Sequence, residues 1–520
     1  MHPFGGYQTV SPFVMVIFGA TGDLTARKLM PALYNLLNDK ILPERFFVVG
    51  FARRPMGSEE FRHLMREAVT KELRTKNLEL RTWQKLEKNL YYQQGYFEDK
   101  NPYKQLINLL KTFDDEIGAC ITRFFYLATP PQNYSAILAH LDSSKLSEGC
   151  GQGSKKWTRV LIEKPFGKDL ETSKKLEEQL SSTFEERQIY RIDHYLAKET
   201  IQNLLAFRFA NGIFEPIWNR SYIDHIQITL AESGGVGNRG AFYEGVGAIR
   251  DVAQNHLMAM LAYTTMEEPQ NMSADAIRTE RVKALKSVRK FTLDDVKNNI
   301  VRGQYGSENL ELKTKNQGLK IENNKMMKAY REEANVDPKS NTETFIALKL
   351  FIDNNRWRGV PFYLRTGKRL AKSEARISIQ FKKPHNKIFS EFDRDIAHSH
   401  FNVLTFRVQP KEGISLQMLA KKPGLGYSLR NVKMDFSYEK EFGSKIFDSY
   451  ERLLIDCMRA DQTLFATGEG FRITWSRVSY IMDAWKKIDP PKFPNYSAGS
   501  WGPAQAEDLI ETDGRHWLLH

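Results

Sequence analysis

The sequence predicts an N-terminal Rossmann-type, doubly wound α/β domain followed by a larger β+α domain with a mostly antiparallel sheet. The first part of the chain alternates helical patterns with strand-length runs that are apolar at every residue, as parallel strands covered on both faces are. After about residue 190, strand-like runs follow one another with few helices between them, which favours antiparallel pairing. We therefore predict two domains, residues 1–189 and residues 190–520.

The first domain repeats the order strand, helix, strand. "FVMVIF" at 13–18 is a strand-length apolar run, and apolar residues at helical spacing follow it at Leu29, Leu33, Leu36 and Leu37. This repeated order predicts a doubly wound sheet. The other predicted strands of this domain are "RFFVVGFA" (45–52), which precedes a long helical region from Ser58, "FFYLA" (124–128) and "RVLIEKP" (159–165).

The second domain begins with a helical pattern over residues 198–210 and continues mainly as strands. "IDHIQITLAE" (223–232) alternates apolar and polar residues, which predicts a half-buried strand. A polar segment rich in Lys and Asn, from Tyr305 to Asn341, is expected to be irregular in part. Further strands are predicted at "TFIALKLFI" (344–352), "VPFYLRTGK" (360–368), "ARISIQF" (375–381) and "FNVLTFRVQP" (401–410).

The charge balance is basic, with 76 Lys and Arg against 63 Asp and Glu and a formal net charge of +13. Such a balance fits nucleic acid, an anionic surface or phosphorylated small molecules, and also a basic surface with no special partner. The basic residues are spread along the chain without a long basic tract. We therefore expect no nucleic-acid partner, and a basic protein that reuses a nucleotide fold to bind nucleic acid remains the weaker hypothesis.

Segments for membrane insertion or export are not evident. No apolar run approaches the roughly 18–20 residues that a membrane helix needs, and "MHPFGGYQTV" lacks the features of a secretory signal. The three cysteines, Cys120, Cys150 and Cys457, are far apart, which argues against a disulfide framework and a cysteine metal site. We expect a cytoplasmic protein with no membrane partner.

A nucleotide site is predicted at "VIFGATGDLTARKLMPAL" (16–33), which reads as a buried strand, a glycine turn and a helix. Gly19 and Gly22 stand where the backbone must come close to a pyrophosphate, and free N–H groups at the helix start favour that anion. Ile17 occupies the first glycine position of the usual motif, so an ordinary strand–helix turn stays open as an alternative.

The end of the second predicted strand indicates which dinucleotide is bound. "GFARRP" (50–55) carries Arg53 and Arg54 where an NAD site has an acidic residue for the ribose hydroxyl. An arginine at this position suits a 2′-phosphate, so NADP is favoured over NAD. The alternative is that both arginines are solvated surface residues.

His256 lies in "GAIRDVAQNHLMAMLAY" (247–263), where a helical pattern is predicted. It falls on the apolar stripe of that helix, so it is either a satisfied core histidine or, if a carboxylate holds it, a proton acceptor near neutral pH. The chain just before it is rich in glycine, which fits close approach to a ligand or a plain connector. The stripe consists of Ile249, Val252, Ala253, Leu257, Met260 and Leu261.

"RIDHYLAKE" (191–199) combines charged, histidine and tyrosine side chains where a strand passes into a helix. His194 and Lys198 are four residues apart, so on a helix they share one face. An anion there would meet helix N–H groups and the charge of Lys198 together. A solvated helix start is the alternative.

Taken together, these motifs resemble the glucose-6-phosphate dehydrogenase family over nearly the whole chain and in the same order. "RIDHYLAKE" and "RDVAQNH" are the most specific of them. The matching motifs are "GATGDLTARKLMPAL" (19–33), "EKPFG" (163–167), "RIDHYLAKE" (191–199), "RFANGIFEPIWNR" (208–220), "RDVAQNH" (250–256), "RWRGVPFYLRTGK" (356–368) and "GP" with acidic followers near 502–508.

The resemblance implies NADP-dependent oxidation of glucose 6-phosphate at C1 to the δ-lactone, the first oxidative step of the pentose phosphate pathway, without a metal. It implies an NADP-binding domain over residues 1–189 and a substrate-binding domain over residues 190–520 that pairs subunits through its large sheet into a homodimer or homotetramer. His256 is then the general base and Asp193 its partner carboxylate, while Pro165 is expected to be cis.

The resemblance also implies the remaining site residues. Lys164 is expected between sugar and nicotinamide, so it counts for both substrate and coenzyme. The implied phosphate contacts are His194, Tyr195 and Lys198, and the sugar-side contacts are Glu232, Asp251, Lys368 and Gln409. The implied coenzyme contacts are Gly19, Ala20, Thr21, Gly22, Asp23, Leu24, Lys28, Arg53 and Tyr134.

The chain departs from the family pattern at two places. Ser373 stands where a second basic residue is expected five residues after Lys368, and Lys372 could replace it. Some members hold a second, structural NADP+, but Trp501 stands where those members carry an arginine, so we expect no second coenzyme even though Arg365, Arg407 and Lys422 are present. A related NADP-linked dehydrogenase of another sugar or hexose phosphate stays open as an alternative activity.

Overall fold

The structure is a computed structural model that describes residues 10–73, 77–149, 158–307, 327–383, 402–443 and 447–519. The chain forms two compact units. The first runs to Ala197 and also includes the later segments Asn271–Arg278 and Phe447–Phe471, while the second comprises the rest.

The first unit contains a six-stranded sheet in which every neighbouring pair is parallel. Its strands are β1 (Phe13–Phe18), β2 (Phe46–Ala52), β3 (Leu90–Gln94), β4 (Thr122–Leu127), β5 (Thr158–Ile162) and β6 (Ile189–Arg191). Its helices include α1 (Met30–Asn38), α2 (Ser58–Glu72), α3 (Leu80–Glu87), α4 (Lys100–Ile117), α5 (Tyr134–Ser143) and α6 (Leu170–Thr183). The order β3-β2-β1-β4-β5-β6 is that of a doubly wound dinucleotide-binding sheet, so the predicted fold class is confirmed here.

The strands predicted for this unit are confirmed, and their apolar runs are covered on both faces of the sheet. Every residue of β1, β2 and β4 is buried, as expected for strands with helices on both sides of the sheet. β3, "LYYQQ", was not predicted from the sequence, because it is short and mostly only partly buried. Cys120 is disulfide-bonded, which contradicts the expectation drawn from cysteine spacing, whereas Cys457 is free and buried.

The second unit is built on an eight-stranded sheet in the order β15-β14-β13-β12-β7-β11-β10-β8. These strands are β7 (Ile223–Ala231), β8 (Ile300–Gly303), β10 (Phe345–Phe351), β11 (Pro361–Gly367), β12 (Glu374–Phe381), β13 (Val403–Gln409), β14 (Gly413–Lys421) and β15 (Leu429–Ser437). Each neighbouring pair is antiparallel except β7 and β11, so the mostly antiparallel sheet is confirmed. A separate two-stranded pairing joins β9 (Tyr305–Gly306) to β16 (Tyr496–Ser497).

The later helices complete the chain. They are α7 (Glu199–Phe209), α8 (Gly240–Glu244), α9 (Met258–Thr265), α10 (Ala274–Ser287), α11 (Leu293–Asn298), α12 (Tyr438–Phe442), α13 (Ser449–Met458), α14 (Gly468–Trp485) and α15 (Ala504–Glu511). Of these, α13 belongs to the first unit. Among the described residues, no helix is both long and apolar enough to span a membrane.

The expectation that β7 is half-buried is wrong. Its residues are buried on both faces except Asp224, because the C-terminal segment covers the polar side of the strand. The Gln227 side chain donates to the His516 carbonyl at 2.7 Å and accepts from the Leu518 backbone N–H at 2.8 Å. Burial of an amide is tolerated when both its donor and its acceptor are satisfied, and here they are.

The polar segment from Tyr305 to Asn341 is only partly described. Residues 308–326 lie outside the described residues. The described remainder holds β9 and a short 3₁₀ turn at Tyr330–Glu332, with loop between that turn and residue 341. The expectation of partly irregular structure is confirmed for this described part.

Candidate active site

The glycine turn after β1 stands at the point where the strand order of the first sheet reverses. Gly19 has φ +89, and its N–H donates to the Phe51 carbonyl at 2.8 Å. A Cβ atom at this position would lie 2.4 Å from the Ala128 carbonyl oxygen, which follows β4. Only glycine fits this backbone, and the turn lies in the crevice where such sheets bind dinucleotides.

The chain leaves this turn through a short π-helical segment, Thr25–Leu29, before α1 begins. The Gly22 N–H donates to the Gly19 carbonyl at 2.9 Å, and the Thr25 hydroxyl donates to the same oxygen at 3.4 Å. These bonds close the turn internally. A π-helical turn is uncommon and frequently marks a functional segment.

A cleft of ≈ 290 Å³ opens at this turn. The predicted coenzyme residues Gly19, Thr21, Gly22 and Arg53 line it, and Arg53 is exposed directly after β2. Backbone N–H groups, glycines and a guanidinium are the groups that hold a pyrophosphate and a 2′-phosphate, so the lining fits a nicotinamide dinucleotide. The other lining residues are Ala52, Tyr96, Phe97, Glu98, Ala128, Thr129, Pro130, Gln132 and Asn133.

The remaining predicted coenzyme residues do not line this cleft. Ala20 is fully buried and Leu24 is partly buried. Asp23 and Lys28 are exposed, and Asp23 pairs with Arg27 at 3.4 Å. The sequence analysis missed Thr129 and Asn133, whose side chains hydrogen-bond each other at 2.6 Å in the cleft wall. Their position directly after the predicted strand "FFYLA" was the available signal.

The "EKPFG" loop follows β5. The Lys164–Pro165 peptide bond is cis, as predicted. The Glu163 carboxylate accepts a hydrogen bond from the Tyr126 hydroxyl at 2.6 Å and another from the Tyr450 hydroxyl. Burial raises the pKa of Glu163, whereas the bond from Tyr126 and the charge of Lys164 lower it. Tyr134, predicted on the coenzyme side, is buried, and its hydroxyl donates to the Glu163 carbonyl at 3.0 Å.

"RIDHYLAKE" begins as β6 and becomes a turn at residues 194–197 before α7 starts at Glu199. The prediction that His194 and Lys198 share one face of a helix is therefore wrong, because neither residue lies within one. Asp193 is 2% exposed and accepts from the Tyr195 N–H at 3.0 Å, and this bond stabilises the turn. The His194 ring lies 4.8 Å from the Tyr195 ring, centroid to centroid.

The N-terminus of α7 holds an anion, but the chain itself supplies it. The Glu412 carboxylate accepts from the Thr200 N–H at 3.0 Å, and its other oxygen lies 3.9 Å from the Lys198 ammonium. Burial raises the pKa of Glu412, and the Thr200 N–H and the Lys198 charge oppose that rise. The Lys198 side chain remains 23% exposed.

His256 lies in a π-helical segment, Ile249–Leu257, that continues into α9. The residues of the predicted apolar stripe are all buried, and so is His256, which is 2% exposed; Gln254 and Asn255 are buried as well. The backbone N–H of His256 donates to the Asn255 side-chain oxygen at 2.5 Å. This is the second uncommon π-helical segment at a predicted functional motif.

The glycine-rich stretch before His256 contacts the chain's own later loop. Gly247 has φ +67, and a Cβ there would lie 2.3 Å from a Glu343 carboxylate oxygen. The same carboxylate accepts from the Ile249 N–H at 3.1 Å, and burial raises its pKa. The close approach at Gly247 is therefore to Glu343, and close approach of the stretch to a ligand stays a prediction.

Three of the predicted sugar-side residues form one cluster in the second unit. The Lys368 ammonium lies 2.5 Å from Glu232 and 3.4 Å from Asp251, and it sits 5.1 Å from the centre of the Tyr243 ring. Lys368 is 3% exposed, whereas the Glu232 side chain is 37% exposed. Burial and then Asp251 raise the pKa of Tyr243, so its hydroxyl stays neutral and can donate or accept a hydrogen bond. The cluster therefore offers hydrogen-bonding oxygens oriented by a buried cation.

The other second-unit predictions lie outside this cluster's ion pairs. Gln409 is partly buried at the end of β13. The Ser373 hydroxyl lies 2.8 Å from the Ser233 hydroxyl, and Lys372 pairs with Glu374 at 2.6 Å. Asp193 belongs to the first unit and His256 to the second, so their pairing stays a prediction. Among the described residues, no cluster of His, Cys, Asp and Glu could hold a metal ion.

Comparison with known proteins identifies relatives over the whole chain. A family model described as "Glucose-6-phosphate dehydrogenase, NAD binding domain" matches residues 16–203, and one described as "Glucose-6-phosphate dehydrogenase, C-terminal domain" matches residues 205–518. The glucose-6-phosphate 1-dehydrogenase of Chlamydia muridarum is 44% identical over 97% of this chain and 96% of its own length. That of Treponema pallidum is 41% identical over 99% of this chain and 97% of its own length.

Solved structures agree with this match. A glucose-6-phosphate dehydrogenase in complex with its substrate glucose-6-phosphate superposes with a TM-score of 0.85 at 29% identity, covering 97% of this chain and 98% of that one. A glucose-6-phosphate 1-dehydrogenase from Mycobacterium avium gives a TM-score of 0.79 at 30% identity, covering 98% of each chain.

Proposed function

The chain belongs to the glucose-6-phosphate dehydrogenase family and oxidises glucose 6-phosphate, and we propose that it does so with NADP+ as coenzyme and His256 as general base. The activity is assigned from the family match, which covers both domains, over residues 16–203 and 205–518. The chain is thus an oxidoreductase, and a nicotinamide dinucleotide is its cofactor. We retain residues 1–189 and 190–520 as the proposed domains.

The choice of NADP+ rests on the cleft at the carboxyl ends of β1, β2 and β4. Arg53 lines it, and "GFARRP" offers no acidic residue for a ribose hydroxyl. The backbone around Gly19, Thr21 and Gly22 would hold the pyrophosphate, and Arg53 the 2′-phosphate. When bound, the nicotinamide accepts the hydride that leaves C1 of the sugar.

The proton from the C1 hydroxyl needs a base, and His256 is proposed for it. Imidazole becomes positive as it takes the proton, and a carboxylate bonded to its other nitrogen stabilises that charge and orients the ring. Asp193 is proposed in that role. Lys368, held between Glu232 and Asp251, is proposed to orient the sugar hydroxyls, and Gln409 to contact the same side.

The phosphate of the substrate is remote from C1, so its binding energy serves to place the ring for reaction. His194, Tyr195 and Lys198 are proposed to bind it. Lys198 is supported by its partial exposure, and Glu412, 3.9 Å from its ammonium, would compete with the phosphate for that charge. Lys164, beside Glu163 in the "EKPFG" loop, is proposed to contact both sugar and nicotinamide.

A second, structural coenzyme is not proposed. Arg365, one of the basic residues present, is fully buried and lies 4.0 Å from the Trp517 ring and 5.1 Å from the Trp501 ring. Arg407 pairs with Asp435 at 2.6 Å. Contacts within the chain therefore already engage both cations, which supports the absence of that site.

We propose that the enzyme is cytoplasmic and assembles as a homodimer or homotetramer through the large sheet. β15 forms an edge of that sheet and carries Val432 and Met434, which are 40% and 61% exposed. The connection to β14 adds exposed Leu425 and Tyr427. Exposed apolar side chains on an unpaired edge strand favour association with another chain.

The decisive assay follows the absorbance of reduced nicotinamide. We expect turnover with glucose 6-phosphate and NADP+, a much weaker signal with NAD+, and no comparable rate with unphosphorylated glucose. Turnover of another sugar or hexose phosphate in preference to glucose 6-phosphate would overturn this substrate and favour the related dehydrogenase. Equal rates with NAD+ and NADP+ would overturn the coenzyme assignment alone.

A further inference from the structure

The first unit brings Tyr450, a residue outside all the predicted motifs, to two of the site segments that this unit carries, the "EKPFG" loop and the segment around His194. Tyr450 is the second residue of α13 and is placed by the start of that helix. The Asp448 carboxylate accepts from the Tyr450 N–H at 3.0 Å, and the Glu451 carboxylate accepts from the Asp448 N–H at 3.0 Å. Glu451 also accepts from the Asn35 side chain at 2.6 Å, which ties α13 to α1. The position of Tyr450 is thus determined by its backbone.

The hydroxyl of Tyr450 reaches the "EKPFG" loop. It donates to the Glu163 carboxylate, which also accepts from Tyr126 on β4. A carboxylate with two tyrosine donors has little freedom, and the residue that follows it in the chain is Lys164. The orientation of the backbone at Lys164 therefore depends on a carboxylate that Tyr450 helps to hold.

The ring of Tyr450 faces the other segment. Its centroid lies 6.3 Å from that of the His194 ring, and the two planes differ by only 15°. Such offset stacking is a favourable aromatic geometry and restricts rotation of the imidazole. The Tyr450 side chain thus contacts Glu163, the neighbour of Lys164, with its hydroxyl and His194 with its ring.

We propose that Tyr450 is a positioning residue that sets the "EKPFG" loop and His194 relative to each other, so that Lys164 and the phosphate-binding histidine are preorganised for one substrate. This inference rests on the proposed function of both segments. It extends to Tyr126, whose hydroxyl donates to the same carboxylate from β4. Neither tyrosine is proposed to contact the substrate.

The groups around Glu163 determine its pKa and therefore the pH dependence of activity that the test measures. Tyr126 on β4, Tyr134 on α5, Lys164 in the same loop and Tyr450 on α13 face it, and Asp193 adds a negative charge near Tyr450. Burial already raises the pKa of Glu163, and the two donated hydrogen bonds hold it down. Losing either donor raises that pKa further, so a reaction that needs the ionised carboxylate loses activity at a higher pH on the acid side.

The test compares Tyr450→Phe and Tyr126→Phe with Tyr190→Phe in steady-state kinetics across pH. Tyr190 is the matched control, since its buried hydroxyl has no hydrogen-bond partner within the described residues. For both site variants we expect kcat to fall on the order of tenfold, as a misplaced reacting group does, and the acid limb of kcat/KM to move to higher pH. KM for glucose 6-phosphate should stay near that of the wild type, because the Tyr450→Phe ring still stacks on His194.

Tyr450→Leu removes the ring as well and should also raise KM for glucose 6-phosphate. If Tyr450→Phe matches Tyr190→Phe in kcat and in its acid limb, the proposal is wrong, provided that the wild type oxidises glucose 6-phosphate. Tyr126→Phe leaves α13 unchanged, so it tests the Glu163 connection even if Tyr450 variants lose thermal stability; an unmoved acid limb there also counts against the proposal. Failure of the wild type itself would instead refute the proposed function.

Discussion

Replacing Gly19 by alanine should show that the coenzyme turn needs glycine for two reasons, its left-handed backbone and the close contact with Ala128. Gly19 has φ +89, and an added Cβ would lie 2.4 Å from the Ala128 carbonyl oxygen. A left-handed backbone costs a residue with a Cβ about 1–2 kcal/mol. Relieving an overpacked contact typically costs about 1–3 kcal/mol more. We therefore expect Gly19→Ala to lower the free energy of unfolding by roughly 2–5 kcal/mol.

Relief of that contact also changes the cleft, because Gly19 and Ala128 both line it. Their separation must increase, which moves the backbone N–H groups that would meet the pyrophosphate. Loss of one hydrogen bond to a charged group costs about 1.5–3 kcal/mol. We expect the Kd for NADP+ to rise by roughly 10- to 150-fold.

Gly118→Ala is the matched control. Gly118 also has a positive φ, +73, but an added Cβ there would have no atom within 4 Å. It should therefore show the backbone cost of about 1–2 kcal/mol alone and bind NADP+ normally. Urea unfolding and a fluorescence titration with NADP+ measure the two quantities. If Gly19→Ala is no less stable than Gly118→Ala and binds NADP+ like the wild type, the steric argument for the turn is refuted.

Three further substitutions test the proposed roles. Arg53→Ala should reduce the preference for NADP+ over NAD+, measured as the ratio of kcat/KM values, by at least roughly tenfold, whereas Arg54→Ala should leave it; an unmoved ratio places the 2′-phosphate contact elsewhere. His256→Asn should cut kcat by at least ~10²-fold with little change in KM, and an unchanged kcat removes it as the base. Glu412→Gln frees Lys198 from a competing charge, so KM for glucose 6-phosphate should fall roughly two- to fivefold while Tm falls; a raised KM would show that Glu412 holds Lys198 for the phosphate rather than competing with it.

The parallel sheet could be predicted because strands buried on both faces appear in the sequence as uninterrupted apolar runs. β1 and β2 carry no polar side chain, β4 is aromatic or apolar from Phe124 to Leu127, and the glycine turn follows β1. The helices and order of this unit follow from the same alternation. By contrast, the inclusion of Asn271–Arg278 and Phe447–Phe471 in the first unit depends on contacts between distant parts of the chain, which local periodicity does not record.

The errors at the site have physical causes that a single sequence conceals. β7 alternates like a half-buried strand, but the C-terminal segment covers its polar face through Gln227. The segment around His256 fits a period of 3.6 residues, whereas the chain forms a π-helical segment with a wider period, in which Gln254 and Asn255 are buried beside the apolar residues. Tyr450 was missed because no motif contains it, and its importance arises only from where α13 places it.

The anion sites show most clearly what a pattern can and cannot specify. A helix start with free N–H groups and a nearby cation indicates that a negative charge belongs there, and the predicted place at the start of α7 does hold one. The charge is that of Glu412, from a distant part of the chain. The pattern therefore specified the sign of the partner but not its source. A substrate phosphate that binds Lys198 must do so beside Glu412, which makes the strength of that grip depend on a carboxylate more than two hundred residues away.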